Sequence, residues 1–376
     1  VQLGQVKANW SGLNPSLQIR DIDFTDPHQR QVLHLPRIRA VLSWRSLFSR
    51  SLQFVLLEAS GLNLQVRRDV NHKLWIMGQS FELDKPDAAS DAGADGGLVL
   101  WLLRQPHVAL TDAVVRWEDA TRSSQSLVLD HVNLVFQGAS ATPSLALRAV
   151  PPKGLGEAFE LRANVDLGTR DPSSLALQDL QGRLYVRVDK MVPKSWSPWL
   201  RIPPGLESGE VSAQWWLAFQ HGQAETFTSD INVNHARWSL DATTDVQAES
   251  ARWYVSGKVS DYARLYAAVF KAPATGEAAG DESAAANAPG GDIDVALQAS
   301  DLQVRVDDMF AHPMRFDHIA LRAGLGLHDG RDLQADVKQL RLLNPDMDLA
   351  LHGSWRQGGS GAAGVADIAG EFKRAS

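Results

Sequence analysis

The feature that most constrains this chain is an alternation with a period of two residues. From Phe159 to Leu167 the odd positions are Phe159, Leu161, Ala163, Val165 and Leu167, while the even ones are Glu160, Arg162, Asn164 and Asp166. Successive side chains of a strand point to opposite faces, so this segment is a strand with one dry face and one wet face. Similar runs cover residues 132–136, 184–188, 211–219, 231–233, 293–297, 302–306, 319–327 and 347–351. Gly, Asn, Asp or Pro bound each run, as the turns of a meander require. Clean alternation indicates antiparallel pairing, because parallel strands buried on both faces read as continuous apolar runs. A βαβ enzyme fold is therefore disfavoured, and some twenty strands are expected.

Helix signals are few. The best is Asp261 to Phe270, where Tyr262, Leu265, Tyr266 and Val269 fall at i, i+3, i+4 and i+7 behind a capping Asp261. Leu98 to Gln105, stopped by Pro106, and the turn Trp44 to Arg50 are weaker. Residues 84–97 and the Ala/Gly-rich stretch 271–291 have linker composition and too little apolar content to build a core.

Composition removes several classes of function. Hydrophobic residues make up 44% and charged residues 22%, ordinary for a folding chain. Lys and Arg total 37 against 44 Asp and Glu, a net charge of −7 without a basic stripe, so nucleic acid is not an expected partner. Zero cysteines leave no disulfide, thiolate metal site or thiol nucleophile. The eleven histidines are dispersed, and no metal is assigned. The carboxylate pairs Asp21/Asp23 and Asp292/Asp294 share a strand face at i, i+2 but alternate with apolar residues, which makes them members of the wet face. No nucleophile elbow or phosphate-cradling glycine loop is present, so no cofactor and no catalytic residue are expected. Among the twelve tryptophans, Trp215 falls in register with Leu217 and Phe219, whereas Trp216 points to the opposite face. The segment Trp196-Ser-Pro-Trp199 reads as a plug over one sheet edge.

So many one-sided strands create an apolar face that must be covered, since soluble monomers do not tolerate exposed patches beyond a few hundred Å². Short helices cannot cover it. A two-sheet sandwich, a closed barrel and a long sheet curled into a trough all satisfy the pattern. Alternation alone does not choose among them.

Particular segments carry a resemblance. Trp10-Ser-Gly-Leu-Asn-Pro-Ser-Leu17, Trp44-Arg-Ser-Leu-Phe-Ser-Arg50, Leu62-Asn-Leu-Gln-Val-Arg-Arg-Asp69, Trp101-Leu-Leu-Arg-Gln105 and Asp112-Ala-Val-Val-Arg-Trp-Glu-Asp119 follow one another in order. Pro151-Pro152, Leu155-Gly156, Leu161-Arg-Ala163, Gly182-Arg-Leu-Tyr185 and the stretch Gly209 to Trp216 come after them. Together they resemble the amino-terminal periplasmic portion of the YhdP family, AsmA-like envelope proteins of Gram-negative bacteria. The resemblance covers roughly residues 1–257.

It implies a mainly β fold: a long, twisted antiparallel sheet curled into a hydrophobic groove, with a few short helices. Residues 1–83 would give the amino-terminal strands, 98–270 the central groove, 271–291 a linker and 292–376 further groove strands. The implied function is intermembrane phospholipid transport without chemistry, so the chain is not expected to be an enzyme. Expected partners are phospholipid acyl chains, the inner membrane through an anchor absent from this chain, and outer-membrane components. The expected location is the periplasm. The groove lining would comprise Leu64, Val66, Val132, Leu134, Phe136, Phe159, Leu161, Val165, Leu184, Val186, Val188, Ala213, Trp215, Leu217, Ile231, Val233, Ile293, Val295, Leu297, Leu302, Val304, Ile319, Leu321, Leu325, Leu349 and Leu351. The alternative is a structural or assembly adaptor of the envelope, built from closed β-sandwich domains.

Overall fold

A computed structural model describes residues 2–25, 31–44, 54–70, 73–76, 79–81, 105–122, 125–138, 140–168, 179–200, 202, 205–241, 243–270, 293–307, 310, 312–328, 332–358 and 364–375. The expected helix Leu98 to Gln105, the turn Trp44 to Arg50 and the linkers 84–97 and 271–291 lie wholly or almost wholly outside these residues. The fold is mainly β. Contacts divide the chain into two compact units. Unit 1 comprises Val1–Met191, Ser195–Arg201 and Phe219–Gln223; unit 2 comprises Val192–Lys194, Ile202–Ala218 and Ala224–Ser376.

The strands of unit 1 are β1 (Gln2–Ser11), β2 (Asn14–Thr25), β3 (Gln31–Leu42), β4 (Phe54–Ser60), β5 (Asn63–Arg68), β6 (Leu74–Ile76), β7 (Gln79–Phe81), β8 (His107–Asp119), β9 (Leu127–Gln137), β10 (Ser144–Val150), β11 (Phe159–Asp166) and β12 (Gln181–Met191). Strands β1 to β4 pair in order, as do β8 to β12, all antiparallel. One junction departs from the all-antiparallel expectation. β4 and β5 both run parallel to β8, with Leu57 opposite Val108 and Leu64 opposite Val115. The two behave as one strand interrupted at Gly61, whose N–H donates to the Thr111 carbonyl at 3.0 Å. The chain leaves β5 through the β6–β7 hairpin and re-enters alongside itself as β8, a crossover that a simple meander pattern does not announce.

After the helical turn α1 (Pro193–Trp196) come β13 (Leu206–Gln220), β14 (Gln223–Ser239), β15 (Thr244–Lys258), the helix α2 (Val259–Phe270), β16 (Ile293–Val306), β17 (Met314–His328), β18 (Asp332–Leu343), β19 (Met347–Arg356) and β20 (Val365–Ala375). In unit 2, β14 to β20 form an unbroken antiparallel meander apart from the α2 excursion. Helix α2 forms where its spacing predicts. Tyr262 and Tyr266 are nonetheless exposed, because the helix lies against β15, β17 and β18 with another side inward. Tyr262 does touch Phe227 edge-on, with ring centroids 5.3 Å apart.

A seam of left-handed residues runs through several strands. Non-glycine residues with positive φ include Asp112 in β8, His131 in β9, His235 in β14 and Asp301 in β16, and Gly61 serves the β4–β5 junction. Asp and His tolerate this conformation better than most side chains, which explains their prevalence. At each seam residue the alternation slips by one: Leu110 is followed by Ala113 in β8, and Ala299 by Leu302 in β16. Both phases nevertheless join one cluster, since Ala113, Val132, Leu110 and Leu129 pack together, as do Ala248, Ala251, Ala299 and Leu302. The apolar side thus stays on one face while each strand bends as at a bulge. The runs 293–297 and 302–306, separate in the sequence, are consequently one strand.

Candidate functional site

Strand register assembles the apolar positions into rows. In unit 1, Val6, Ile19, Ile38, Ala59, Leu110, Leu134, Leu147, Leu161 and Val186 occupy facing positions on β1, β2, β3, β4 and β8 to β12. A second row, from Ala8 through Leu17, Ala40, Leu57, Val108, Phe136, Leu145 and Ala163 to Leu184, runs beside it. At about 4.8 Å per strand each row is roughly 40 Å long. No polar side chain interrupts either.

The first row is not sealed. Val6 is 52% exposed and the other eight residues are half-buried, whereas the floor beside them at Ala113, Val132 and Ala149 is closed. A sandwich interior would exclude water from all of these side chains alike. The row from Val6 to Val186 thus presents the accessibility of an open apolar surface rather than of a closed two-sheet core, while the second row is closed at Ala40 and Phe136.

Unit 2 repeats the arrangement. Ile231, Trp253, Leu297, Leu321, Leu340 and Leu351 share one row, and Val233, Ala251, Ala299, Ile319, Leu342, Leu349 and Phe372 share the next. Val295 sits between Val255 and Ala323, Leu302 between Ala248 and Phe316, and Val304 between Val246 and Met314. Ile293, opposite Leu325, is 1% exposed. Phe227 belongs to the same face as Ile231, so its contact with Tyr262 puts α2 over the end of the face where Ile293 lies.

The remaining sequence-selected positions follow. Leu64 and Val66 face Val115 and Trp117, Val132 faces Ala113, Phe159 faces Ala149, and Val165 faces Gly182. Val188 is half-buried on β12. In β13 Ala213 is buried, Trp215 and Leu217 are half-buried and Trp216 is exposed. The selection missed the β1 to β4 residues Val6, Ile19, Ile38 and Ala59. Ile19 after Leu17 and Ala40 after Ile38 carry the same alternation, so the signal was present. Leu110, Leu147 and Leu340 were missed as well.

The opposite face is polar and internally neutralised. Arg252 donates two hydrogen bonds to Asp230 at 2.9 and 2.6 Å, and Arg341 does the same to Asp348 at 2.9 and 2.8 Å. These hydrogen bonds hold both aspartates below the usual carboxylate range. Asp294 pairs with Lys338 at 2.9 Å, as a wet-face carboxylate does. A shallow cavity of about 290 Å³ is lined by Arg252, Tyr254, Gln298, Arg322 and Gln339 around Ala296 and Ala320, with Leu297 and Leu321 of the apolar row also bordering it.

The two tryptophans of the Trp196 to Trp199 segment are fastened within unit 1. The Trp196 indole N–H donates to the Leu155 carbonyl at 2.7 Å and that of Trp199 to the Gln125 carbonyl at 2.8 Å. No helix among the described residues is long and apolar enough to cross a membrane. Among the same residues, no cluster of three His, Asp or Glu side chains has metal-binding geometry.

Neither the curated proteins nor the solved structures contain a match to this chain. A family model does match, described as YhdP protein, over residues 1–265. That span takes in all of unit 1, with its rows and its crossover, and reaches into α2, and the chain belongs to the YhdP family of AsmA-like envelope proteins.

Proposed function

We propose that the apolar rows carry phospholipid acyl chains along the sheet, between inner and outer membrane in the periplasm, without a chemical step. One observation carries the reading: nine strands adjacent in the sheet present an uninterrupted aliphatic row, Val6 exposed and the other eight residues half-buried, while on the other face Arg148, Arg162 and Arg187 pair with Glu160 and Asp189. Moving a hydrocarbon chain through water costs about 0.8 kcal/mol per methylene, on the order of 10 kcal/mol for a whole acyl chain. A continuous apolar lining replaces that barrier with small steps between similar surroundings. Headgroups remain at the open, hydrated side. Family membership supports an envelope role, and the proposed ends of the path are an inner-membrane anchor and outer-membrane components.

The test is chemical. Lipid extracted from the purified chain is identified by mass spectrometry, and photo-crosslinking residues are placed at Leu161, Val186 or Leu321 and, as controls, at Arg162, Arg187 or Arg322. Phospholipid adducts confined to the first set support the reading. Equal labelling on both faces, or none, ends it in favour of an adaptor role. Val186→Asp is expected to abolish lipid transfer by the parent protein while leaving the chain folded.

A further inference from the structure

The β1–β2 hairpin ends in an apolar tip. Its two-residue turn places Gly12, φ 61, at the first central position, the chemistry of a type II′ turn, and closes with Ser11 opposite Asn14. The next residue, Leu13, is 85% exposed. Trp10 and Trp44 flank it, 63% and 45% exposed, with ring centroids 6.3 Å apart and planes inclined by 28°. The Trp44 indole N–H donates to the Leu13 backbone carbonyl at 2.9 Å, which ties the stacked indoles to the turn that presents Leu13. A lone exposed leucine is unremarkable, but two stacked indoles and a leucine exposed at one hairpin end mark an interaction site.

Charge behind the tip identifies the partner. Between the turn and the Arg20–Arg37 pair, β1 to β3 carry Lys7, Arg20, Arg37 and Arg39 and no acidic residue, in a chain of net charge −7. Of these, Arg39 is engaged by Glu58 at 3.3 Å. Asp21 and Asp23 lie beyond, away from the turn. Indole rings favour the headgroup level of a bilayer, an exposed leucine favours the acyl boundary just beneath, and basic side chains favour anionic lipid. We infer that the tip formed by Trp10, Leu13 and Trp44 docks into the interface of an anionic phospholipid bilayer. This does not depend on lipid being carried along the rows.

The chain has no cysteine, so Leu13→Cys supplies a single thiol for an environment-sensitive fluorophore, and Lys153→Cys, in an exposed loop, supplies the control. The probes are vesicles of phosphatidylethanolamine with phosphatidylglycerol, and vesicles of phosphatidylcholine. The label at 13 shifts to the blue on the anionic vesicles, more weakly on the neutral ones, and the label at 153 stays unchanged. Leu13→Asp, with an unaltered circular dichroism spectrum, weakens vesicle binding about tenfold or more, and added salt weakens the parent's binding. A label at 13 that ignores both vesicles overturns the inference, even where lipid is taken up elsewhere on the chain. So does a shift produced only by a protein partner, or a Leu13→Asp variant that binds like the parent.

Discussion

The two units build the same kind of apolar floor but finish it differently. Unit 1 carries two apolar rows across nine strands, one of them without a buried member, and fastens its loops with indole hydrogen bonds from Trp196 and Trp199. Unit 2 places the aromatic Trp253 in one row, ends that row at Gly370 beyond Leu351, and lays α2 over one end. Alternation therefore specifies a floor, and local insertions decide how much of it stays open.

The largest expected effect lies under α2. Ile293→Ala should cost unit 2 about 2–5 kcal/mol, because the side chain is enclosed and leaves a cavity. Leu321→Ala, on the half-exposed row, should cost clearly less. Denaturant unfolding with hydrogen exchange across β16 and β17 separates the two, and equal losses would mean the row is sealed after all. A smaller effect is expected in unit 1, where Trp196→Phe keeps the ring and removes the donor to Leu155. The loss should be about 1 kcal/mol, seen as faster exchange around residues 155–159 with β16 and β17 unaffected.

The smallest concerns the polar face. Asp230 titrates below its ordinary range because Arg252 hydrogen-bonds it, so its contribution is complete above the unfolded carboxylate pKa of about 4 and fades as pH falls through the lower folded value. For a pair this exposed the contribution is about 0.2–1 kcal/mol. Asp230→Asn should flatten that part of the stability curve at acidic pH. Glu157, lowered by the Lys190 hydrogen bond, gives unit 1 a dependence of the same sign.

Much of this was legible in the sequence, for a physical reason. A strand exposed on one face writes its orientation into every second residue, and Phe159 to Leu167 needed nothing else. Helix α2 was likewise visible in its spacing, although it starts at Val259, so that Asp261 lies buried in the first turn and pairs with Arg264 instead of capping the helix. What stayed hidden depends on partners distant in the chain. The parallel pairing of β4 and β5 with β8 is decided by a crossover whose strands β6 and β7 are three residues each. The outward turn of Tyr262 and Tyr266 is decided by which strands the helix meets. The rows themselves emerge only once register is known, since no single strand reveals that Ile38 stands in line with Val186. The slip at Asp301 reads as a turn between two runs because an aspartate where the alternation shifts resembles a loop residue.

That slip has a consequence for how such ribbons tolerate change. A one-residue insertion ordinarily exchanges the wet and dry sides of everything beyond it. Here the extra residue is already accommodated strand after strand, at positions where an aspartate, a histidine or a glycine turns the backbone over and restores the original side. The two halves of a strand are separate reading frames, and because neighbouring strands slip at the same level, the oily surface stays dry on both sides of the junction.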